Sequence, residues 1–314
     1  MKICVTGGAG YIGAVAVRKL FEAGHEVNIF DDLSTGYKSN VPNYANFFEG
    51  SLLNPKEIAA ALIGIDAVIH FAGKSLVAES VADPDIYREI NINGSKNLFN
   101  EMKIAGISKL VFSSSAAVYG EPVETPIRES HPTNPTNPYG ETKLAVENLI
   151  KEYGFNSISL RYFNVAGSYK DVFENHLPET HLIPNILKSD IKNPISIYGT
   201  DWPTPDGTCI RDYVHVSDIV DAHILAIEKI SKFRSEILNL GSGNGYSVKE
   251  VISECEKRIG RSIPTIEIGR RSGDPAILLA DISKAKSLLG WSPASDIKKM
   301  VLDTWESFNA SPSN

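Results

Sequence analysis

The 314-residue sequence contains only three cysteines, Cys4, Cys209 and Cys255, and no two of them form a C-x-x-C pair. Such isolated cysteines argue against a disulfide framework and against a zinc ribbon, and they favour a reducing compartment. No apolar run approaches the roughly 20 residues of a membrane-spanning helix, and Met1 leads into a short apolar segment rather than a signal peptide. These absences predict a soluble, cytoplasmic protein that does not associate with membranes.

Long runs of one charge and metal-type histidine spacing are also missing. The 31 basic and 38 acidic residues give a net charge of −7 without any long block of one sign, so nothing indicates a nucleic-acid-binding surface. The seven histidines include no H-x-x-x-H pair, and we therefore expect no metal site. His70, within the apolar segment IDAVIHFA, is expected to be a packed side chain rather than a catalyst.

Short apolar segments alternate with helix-like segments through the N-terminal half, a pattern typical of a parallel sheet covered on both faces. We expect an α/β fold with a Rossmann-like, doubly wound domain over residues 1–168, to which part of 211–245 returns. A smaller C-terminal α/β domain is expected over residues 169–314. The predicted strands are Ile3–Thr6, Glu26–Phe30, Ala67–Phe71, Leu110–Ser113 and Ser157–Arg161, and the predicted helices are Ile12–Glu22, Pro55–Ile63, Pro84–Ala105 and Tyr139–Tyr153.

A glycine-rich segment, TGGAGYIG, follows the first predicted strand and opens the first predicted helix. Its glycines Gly7, Gly10 and Gly13 let the backbone turn sharply and let a pyrophosphate approach the helix N-terminus, although the triplet alone also fits a tight strand–helix turn. Asp31 and Asp32 end the second strand, where a carboxylate can bind an adenosine ribose diol and would repel a 2′-phosphate. Because no arginine follows these acids, the segment predicts a dinucleotide site that prefers NAD to NADP.

Three serines and a Tyr-x-x-x-Lys pair supply the candidate catalytic groups. Tyr139 and Lys143 lie four residues apart, and hence on one face of the helix that Pro138 begins. A neighbouring ammonium and a positive nicotinamide ring both favour the phenolate and so lower the pKa of a phenol. Ser113–Ser115 end a central parallel strand, at the edge where open α/β sheets bind ligands. We therefore predict one site in which Tyr139 accepts a hydroxyl proton while hydride leaves the same carbon, and Ser115 binds the reacting oxygen.

With these features the chain resembles the UDP-glucose (UDP-galactose) 4-epimerase family of the extended short-chain dehydrogenase/reductase superfamily. The resemblance runs from Lys2 to about Trp291 and is carried by VTGGAGYIG, FAGKSLVAES, FSSSAAVYGEP, NPYGETK, LRYFNVAGS, DGTCIRDYVHVSDI and RRSGDPAILLADISKAK. It implies a firmly held NAD and epimerisation at C4 of a UDP-hexose through a transient 4-keto sugar. It also implies a homodimer packed through the helices Pro84–Ala105 and Pro138–Tyr153.

The resemblance also assigns residues to the cofactor, with some departures from the family pattern. Ser51 replaces the aspartate that the family usually places in its adenine-binding motif, and Ile90 occupies a position that is Asn in some members. Lys74 lies one position before the lysine of some members, where this chain has Ser75. The implied NAD-binding set is Gly7, Gly10, Tyr11, Ile12, Gly13, Asp31, Asp32, Leu33, Ser34, Thr35, Gly36, Ser51, Leu52, Phe71, Ala72, Gly73, Ser75, Ser113, Tyr139, Lys143 and Phe163.

For the substrate, the resemblance implies a site that holds UDP tightly and the sugar loosely. Arg211 and Arg271 match the family's diphosphate-binding arginines, and Leu278 occupies the sugar-pocket position that is often Tyr or Cys. The implied substrate-binding set is Ser115, Tyr139, Asn164, His181, Leu182, Ser196, Ile197, Tyr198, Arg211, Tyr213, Arg271, Asp274 and Leu278.

Three rival functions share the same cofactor site. A nucleotide-sugar 4,6-dehydratase needs an acid, usually Asp-Glu, directly after the serine at the strand end, and here Ala116 and Ala117 stand there. A 4-epimerase of UDP-N-acetylhexosamine, UDP-glucuronate or UDP-xylose stays open, because the wall of the sugar pocket cannot be read from the sequence. A non-catalytic NAD-binding regulator is the third rival, since a fold does not fix a function.

Overall fold

The computed structural model describes residues 1–176, 178–271 and 273–310, and the chain divides into two compact units. Unit 1 comprises Met1–Gly120, Pro132–Tyr162 and Val220–Leu238, and unit 2 comprises Glu121–His131, Phe163–Ile219 and Asn239–Asn314. Within the described residues, no helix has both the length and the apolar character needed to cross a membrane.

Strands and helices alternate along the chain. The strands are β1 (Lys2–Thr6), β2 (Glu26–Asp31), β3 (Asn46–Glu49), β4 (Ala67–His70), β5 (Lys109–Ser115), β6 (Asn156–Tyr162), β7 (Asn164–Ala166), β8 (Ser168–Tyr169), β9 (Val172–Phe173), β10 (Ile195–Tyr198), β11 (Ile210–His215), β12 (Ser235–Leu240), β13 (Gly245–Ser247), β14 (Thr265–Ile268) and β15 (Ile277–Leu278). The helices are α1 (Tyr11–Glu22), α2 (Pro55–Ala61), α3 (Val77–Ala82), α4 (Pro84–Tyr87), α5 (Gly94–Ile104), α6 (Pro138–Tyr153), α7 (Leu182–Lys188), α8 (Val216–Lys229), α9 (Val248–Ile259), α10 (Ser283–Leu289) and α11 (Ile297–Ala310).

Seven strands form one sheet in the order β12-β6-β5-β4-β1-β2-β3. β1 pairs in parallel with β2 and β4, β2 pairs in parallel with β3, and β5 pairs in parallel with β4 and β6. The central strands are buried along nearly their whole length, which explains their continuous apolar sequence, because helices cover both faces of the sheet. The predicted Rossmann-like, doubly wound parallel sheet is confirmed.

The carboxyl ends of the central strands meet at one edge of this sheet. Thr6 is in register with His70 at the ends of β1 and β4, and Ser115 is in register with Tyr162 at the ends of β5 and β6. Open α/β sheets bind their ligands outside this edge. The fold therefore brings the glycine-rich turn and the three serines to the same end of unit 1.

Helix α6 begins and ends on local signals. The side chain of Asn137 accepts a hydrogen bond from Gly140 N at 2.9 Å, Pro138 occupies the first helical position, and Gly154 ends the helix with φ +68°. Val146 and Ile150 on its inner face join the apolar core of unit 1. Each such buried aliphatic side chain contributes roughly 1.5–3 kcal/mol to the free energy of unfolding. This packing fixes which face of α6 turns inward.

Several elements of unit 1 differ from the predictions, and α3 and β12 are among those that were not predicted. The single helix predicted over Pro84–Ala105 is divided into α4, a wide π-helical segment at Arg88–Asn93, and α5. The strand β3 was not predicted, because it lies at the sheet edge and its residues are exposed or only half-buried. An edge strand does not need the continuous apolar pattern of the central strands.

Unit 2 contains smaller sheets around its own core. β11 pairs in parallel with β7 and β15 and antiparallel with β13, while β10 pairs in parallel with β14. The apolar core of this unit includes Ile197 and Tyr213, and Leu182 packs against it. The predicted second, smaller α/β part of the fold is therefore present.

Candidate active site

Ser115 and Tyr139 interact at the centre of the candidate site in unit 1, where Ser115 can donate a hydrogen bond that lowers the pKa of the Tyr139 phenol. The Oγ of Ser115 accepts a hydrogen bond from Ala117 N at 3.1 Å, which leaves its hydroxyl proton free to point at the phenol oxygen. Burial raises the pKa of the Tyr139 phenol, and the hydrogen bond from Ser115 acts in the opposite direction. The serine is therefore placed to favour the phenolate form of Tyr139.

Lys143 lies one helical turn after Tyr139 and is buried. Its Nζ donates to Ser113 O at 2.8 Å and lies 5.7 Å from the centre of the Tyr139 ring. Burial lowers the pKa of Lys143 from 10.5 to about 8, and the nearby charge of Glu147 opposes this shift. The ammonium is thus retained at neutral pH, where its positive charge favours a phenolate at Tyr139. The fold brings the three predicted catalytic residues together.

A buried ion pair follows on the same face of α6. The carboxylate of Glu147 accepts hydrogen bonds from Arg161 Nε at 2.9 Å, from a terminal nitrogen of Arg161 at 2.6 Å and from Ser114 Oγ at 2.5 Å. The side chains of Glu147 and Arg161 are only 1% and 3% exposed. These bonds tie the end of β5 to α6. The only sequence signal for Glu147 is its position four residues after Lys143.

The glycines of the first turn differ in whether the fold itself requires a glycine at their position. Gly7 has φ +72°, and a Cβ there would lie 2.6 Å from Ala72 N; a Cβ at Gly13 would lie 2.1 Å from Gly7 O. Gly10 has φ −77°, and among the described residues its Cβ would meet only Gly7 O, at an ordinary 3.4 Å. The fold does not need a glycine at position 10, which lies at the N-terminus of α1. The absence of a side chain there instead leaves space for a ligand to approach the backbone. This fits the pyrophosphate of NAD.

We expect Gly10→Ala and Gly13→Ala to fail in different ways. Gly10→Ala should leave the free energy of unfolding within about 1 kcal/mol of the wild type. Its NAD content after purification should fall at least about tenfold, because a methyl group would stand where the backbone must approach the phosphates. Gly13→Ala should instead destabilise the NAD-free protein. Urea unfolding and release of bound NAD by acid measure the two effects, and equal destabilisation by both changes would contradict the ligand role of Gly10.

Asp31 holds the segment after β2 against the glycine-rich turn. Its carboxylate accepts hydrogen bonds from Ala9 N at 2.9 Å and Leu33 N at 2.8 Å. A Cβ at Gly36 would lie 3.0 Å from the same carboxylate, so this loop passes close over it. Burial raises the pKa of Asp31, and the two backbone donors oppose the rise. A carboxylate has about four acceptor sites, so capacity remains for a ribose diol.

The other members of the predicted NAD-binding set differ in exposure. Leu52 lies in the apolar core, so a ligand could meet its backbone but not its side chain. The Ser51 hydroxyl accepts a hydrogen bond from Leu53 N and keeps its own proton to donate to a ligand. The Nζ of Lys74 forms an ion pair with Glu79 at 2.9 Å. Buried members are Tyr11, Gly13, Ser113 and Phe163, half-buried members are Gly10, Ile12, Leu33, Gly36, Phe71, Ala72 and Gly73, and exposed members are Asp32, Ser34, Thr35 and Ser75.

No pattern in the sequence pointed to Asn91, which connects two parts of this site. Its Oδ1 accepts from Lys74 N at 2.8 Å, and its Nδ2 donates to Lys74 O and to Thr142 Oγ1, both at 3.0 Å. The Thr142 hydroxyl donates in turn to the carbonyl of Tyr139 at 2.8 Å. The family resemblance pointed to Ile90, a position that is Asn in some members. In the structure, the wide π-helical turn brings the next residue, the buried Asn91, to the place where these polar contacts are made. Asn91 therefore positions the loop after β4 against the start of α6.

His70 is buried in a chain of hydrogen bonds that specifies its neutral form. Ser95 Oγ donates to Asn91 O at 2.5 Å, so it must accept from His70 Nε2 at 3.0 Å. His70 Nδ1 then accepts from Thr6 Oγ1 at 2.7 Å. Burial, followed by the charge of Lys143, lowers the pKa of His70 from 6.5 to about 3. The side chain is packed, as the sequence predicts, and its hydrogen bonds and burial keep it neutral.

This neutral histidine should make the fold sensitive to acid. Below pH 6.5 the unfolded chain binds a proton at His70, whereas the folded chain does not do so until about pH 3. The free energy of unfolding should therefore fall through this window by up to about 1.4 kcal/mol per pH unit. Between pH 7 and pH 5 we expect the wild type to lose about 2 kcal/mol more than His70→Gln, measured by urea unfolding. Identical pH dependence of the two proteins would show that His70 titrates normally.

The predicted substrate-binding residues other than Ser115 and Tyr139 all lie in unit 2, and four of them meet on one sheet. Tyr213 is in register with Asn164 on the neighbouring strand β7, and Arg211 is in register with Leu278 on β15. Arg211 and Tyr213 are two residues apart on β11, so their side chains share one face of the sheet. Sheet pairing thus collects residues that are far apart in sequence.

Further contacts place the remaining members of this set. Arg211 donates to Pro275 O at 2.8 Å and lies 3.6 Å from the Asp274 carboxylate. The Arg271 guanidinium lies 4.0 Å from the centre of the Tyr198 ring, a cation–π contact. In both cases a predicted arginine lies beside another member of the predicted set.

The other predicted substrate residues lie around the core of unit 2. Leu182, at the start of α7, packs against the cluster that contains Ile197 and Tyr213. Ser196 is half-buried beside Ile197 on β10, and His181 immediately precedes α7.

Comparison with known proteins identifies the family. Residues 3–241 match the model of the NAD dependent epimerase/dehydratase family. The chain belongs to this family. It is 46% identical over 312 residues to the UDP-glucose 4-epimerase of Corynebacterium glutamicum, an alignment that covers 97% of this chain and 95% of that protein.

Two crystal structures of epimerases share the fold closely. The UDP-glucose 4-epimerase of Stenotrophomonas maltophila, with bound NAD and formylated UDP-arabinopyranose, superposes with a TM-score of 0.95 at 38% identity and covers 99% of this chain and 98% of its own. The enzyme of Bifidobacterium longum, in complex with NAD⁺ and UDP, gives a TM-score of 0.91 at 35% identity over 98% of this chain and 99% of its own.

Within the epimerase/dehydratase family, the two residues after Ser115 bear on which reaction is possible. Ala116 is buried, and a Cβ added to Gly140 would lie 2.5 Å from the carbonyl oxygen of Ala117. Neither alanine can supply the proton that a dehydratase gives to a leaving hydroxyl. The alanines at these two positions therefore favour epimerisation over dehydration.

Proposed function

We propose that this chain is an isomerase that catalyses NAD-dependent epimerisation at C4 of a UDP-hexose, interconverting UDP-glucose and UDP-galactose through a transient 4-keto sugar. The observation that carries the proposal is the position of the buried Lys143 ammonium one helical turn after Tyr139, with its Nζ 5.7 Å from the centre of the phenol ring and the Ser115 hydroxyl acting on the same phenol. The near-full-length identity to a UDP-glucose 4-epimerase supports the same reaction.

The catalytic side chains of unit 1 would accept and return one proton, that of the sugar O4 hydroxyl. When bound, NAD supplies a site that accepts a hydride from C4 of the hexose and returns it. Tyr139, as phenolate, accepts the O4 proton, while Ser115 holds the same oxygen and Lys143 stabilises the negative charge. Because the reaction involves no net oxidation, the chain must keep the cofactor through the whole cycle. The turn Gly7–Gly13 and Asp31 would hold it there.

The side chains of unit 2 would hold the nucleotide. A diphosphate needs local positive charge in a chain with a net charge of −7, and a guanidinium binds phosphate oxygens in a bidentate manner. Arg211 and Arg271 supply that charge, with Asn164 and Tyr213 on the strands beside Arg211. We propose accordingly that unit 1 binds NAD and unit 2 binds UDP, so that the 4-keto sugar can turn over while its tether stays fixed.

Analysis of the reaction products identifies the sugar that the protein epimerises. We would incubate purified protein, without added cofactor, with UDP-glucose, UDP-galactose, UDP-N-acetylglucosamine, UDP-glucuronate and UDP-xylose, and follow each by NMR. Inversion at C4 of UDP-glucose without added NAD is the expected result. Faster turnover of another sugar would select the alternative 4-epimerase, and inversion of none with NAD still bound would leave a non-catalytic NAD-binding regulator.

The assembly and the compartment are also part of the proposal. We propose a homodimer packed through the helical stretch Pro84–Ala105 and α6, where Ile86 and Ile104 are exposed. Light scattering after gel filtration measures the mass directly.

A cytoplasmic location is proposed because the three cysteines are free thiols, all of them buried.

A further inference from the structure

Two histidines and two glutamates converge in unit 2, between the end of β9 and the start of α7. They are Glu174, His176, Glu179 and His181. One donor atom from each of Glu174, His176 and His181 can be chosen so that all three lie within 4.8 Å of one another. The two imidazole rings are 5.6 Å apart, centre to centre, with 30° between their planes. Three nitrogen and oxygen donors at this separation can surround a single ion.

The carboxylates of this cluster are buried, which is costly unless their charge is compensated. Glu174 is 8% exposed, and the side chain of Glu179 is 6% exposed. Glu174 Oε1 is in direct contact with His176 Nδ1, and Glu174 Oε2 lies 3.9 Å from His181 Nδ1. Glu179 Oε1 lies 2.9 Å from the same His181 nitrogen. The negative charges therefore face inward, toward the imidazoles.

Hydrogen bonding does not account for all the polar atoms of the cluster. Glu174 Oε1, His176 Nδ1 and Glu179 Oε2 are buried. Glu174 Oε1 and His176 Nδ1 contact each other as an ion pair, and within the described part of the chain none of the three atoms has any other partner. A native protein rarely leaves adjacent buried polar atoms with so few partners. A cation coordinated by the carboxylate and the imidazoles would satisfy these atoms and balance the buried charge together.

We propose that Glu174, His176 and His181 bind a divalent transition-metal ion, for which Zn²⁺ is the best match. Imidazole nitrogens suit Zn²⁺ and its transition-metal neighbours and do not suit Mg²⁺ or Ca²⁺, which prefer oxygen ligands. Two histidines and one glutamate form a known type of zinc ligand set. Glu179 lies at hydrogen-bond distance from His181 Nδ1, so it would orient that ring from outside the ligand set and leave Nε2 as the ring nitrogen available to the metal.

The expectation of no metal site rested on the absence of an H-x-x-x-H pair and of a histidine beside a cysteine pair. Here the ligands come from a loop, and His176 and His181 are five positions apart, so helical spacing does not apply. The metal ion ties the end of β9 to the start of α7. It thereby fixes the backbone of His181 and Leu182, two members of the predicted substrate-binding set. The inference stands independently of the proposed activity, because it concerns the loop alone.

The decisive experiment measures the metal directly on protein without a histidine tag. After dialysis against a chelator and then against metal-free buffer, we would add Zn²⁺, remove the excess and measure bound metal by mass spectrometry. We expect about one Zn²⁺ per chain and a rise in melting temperature of roughly 5 °C when free Zn²⁺ exceeds Kd about a hundredfold. No retained zinc and no shift, or an equal shift with Mg²⁺, would overturn the proposal.

Matched variants locate the site. His176→Gln should lose the zinc-dependent shift while keeping the melting temperature of the metal-free wild type, whereas His25→Gln, in unit 1, should respond like the wild type. Retained zinc in His176→Gln would place the metal elsewhere and overturn the assignment. If that variant does not fold, the proposal can still be tested on the wild type with Cu²⁺ as the probe. Copper bound at these residues must show nitrogen coupling from imidazole in its EPR spectrum. A copper signal without such coupling overturns the proposal as well.

Discussion

Replacing Tyr139 by phenylalanine is expected to lower kcat for the interconversion of UDP-glucose and UDP-galactose by at least about 10³-fold, while NAD remains bound. The phenol is the group whose pKa Ser115 lowers, and Tyr139 lies on the same helical face as Lys143. Phenylalanine keeps the ring but removes the group that accepts and returns the O4 proton. NMR of the two UDP-sugars gives the rate, and acid release of NAD gives the occupancy.

Tyr153→Phe is the matched control for this change. Tyr153 lies on the same helix, and its hydroxyl donates to Asn100 in an exposed position. We expect this variant to keep activity within about twofold of the wild type, because its hydroxyl contributes only a surface hydrogen bond. If Tyr139→Phe retained full activity, proton transfer by Tyr139 would be wrong, even though the chain would still belong to the family. A loss of NAD together with activity would indicate a binding role instead.

The start of the site could be predicted because its signals are local. Asn137 and Pro138 begin α6, and the four-residue spacing of Tyr139 and Lys143 then places both side chains on one helical face whatever surrounds them. The central strands could be predicted for a similar reason, since a strand buried on both faces must be apolar throughout.

The supporting residues could not be predicted because their contacts join distant segments. Asn91 reaches Lys74 and Thr142 only because of a π-helical turn, and no composition rule places such a turn at Arg88–Asn93. The pairing of Tyr213 with Asn164 likewise depends on strand order, which residue patterns leave open. What the sequence could not specify is therefore the set of residues that hold the candidate catalytic groups in position.

Glu147→Gln is expected to produce the largest loss of stability, about 3–5 kcal/mol in the free energy of unfolding. The change keeps the shape of the side chain but removes its charge, leaving the Arg161 guanidinium buried without a counter-charge from Glu147. In the wild type, the hydrogen bonds and charge of Glu147 raise the pKa of Arg161 and outweigh the desolvation that would lower it. Urea unfolding of NAD-free protein, followed by circular dichroism, measures the effect. Glu152→Gln, an exposed change on the same helix, should stay within about 0.5 kcal/mol of the wild type.

A double variant separates the structural role of this ion pair from its electrostatic one. Glu147→Leu combined with Arg161→Met removes both charges, and stability should recover by several kcal/mol relative to Glu147→Gln, since an apolar pair can replace a buried ion pair. Activity should not recover equally. The charge of Glu147 raises the pKa of Lys143 against the effect of burial, so without it Lys143 should lose its proton at a lower pH. The kcat of the double variant should therefore decline at a lower pH on the alkaline side than that of the wild type. An unchanged pH profile would mean that Glu147 acts only by anchoring β5 to α6.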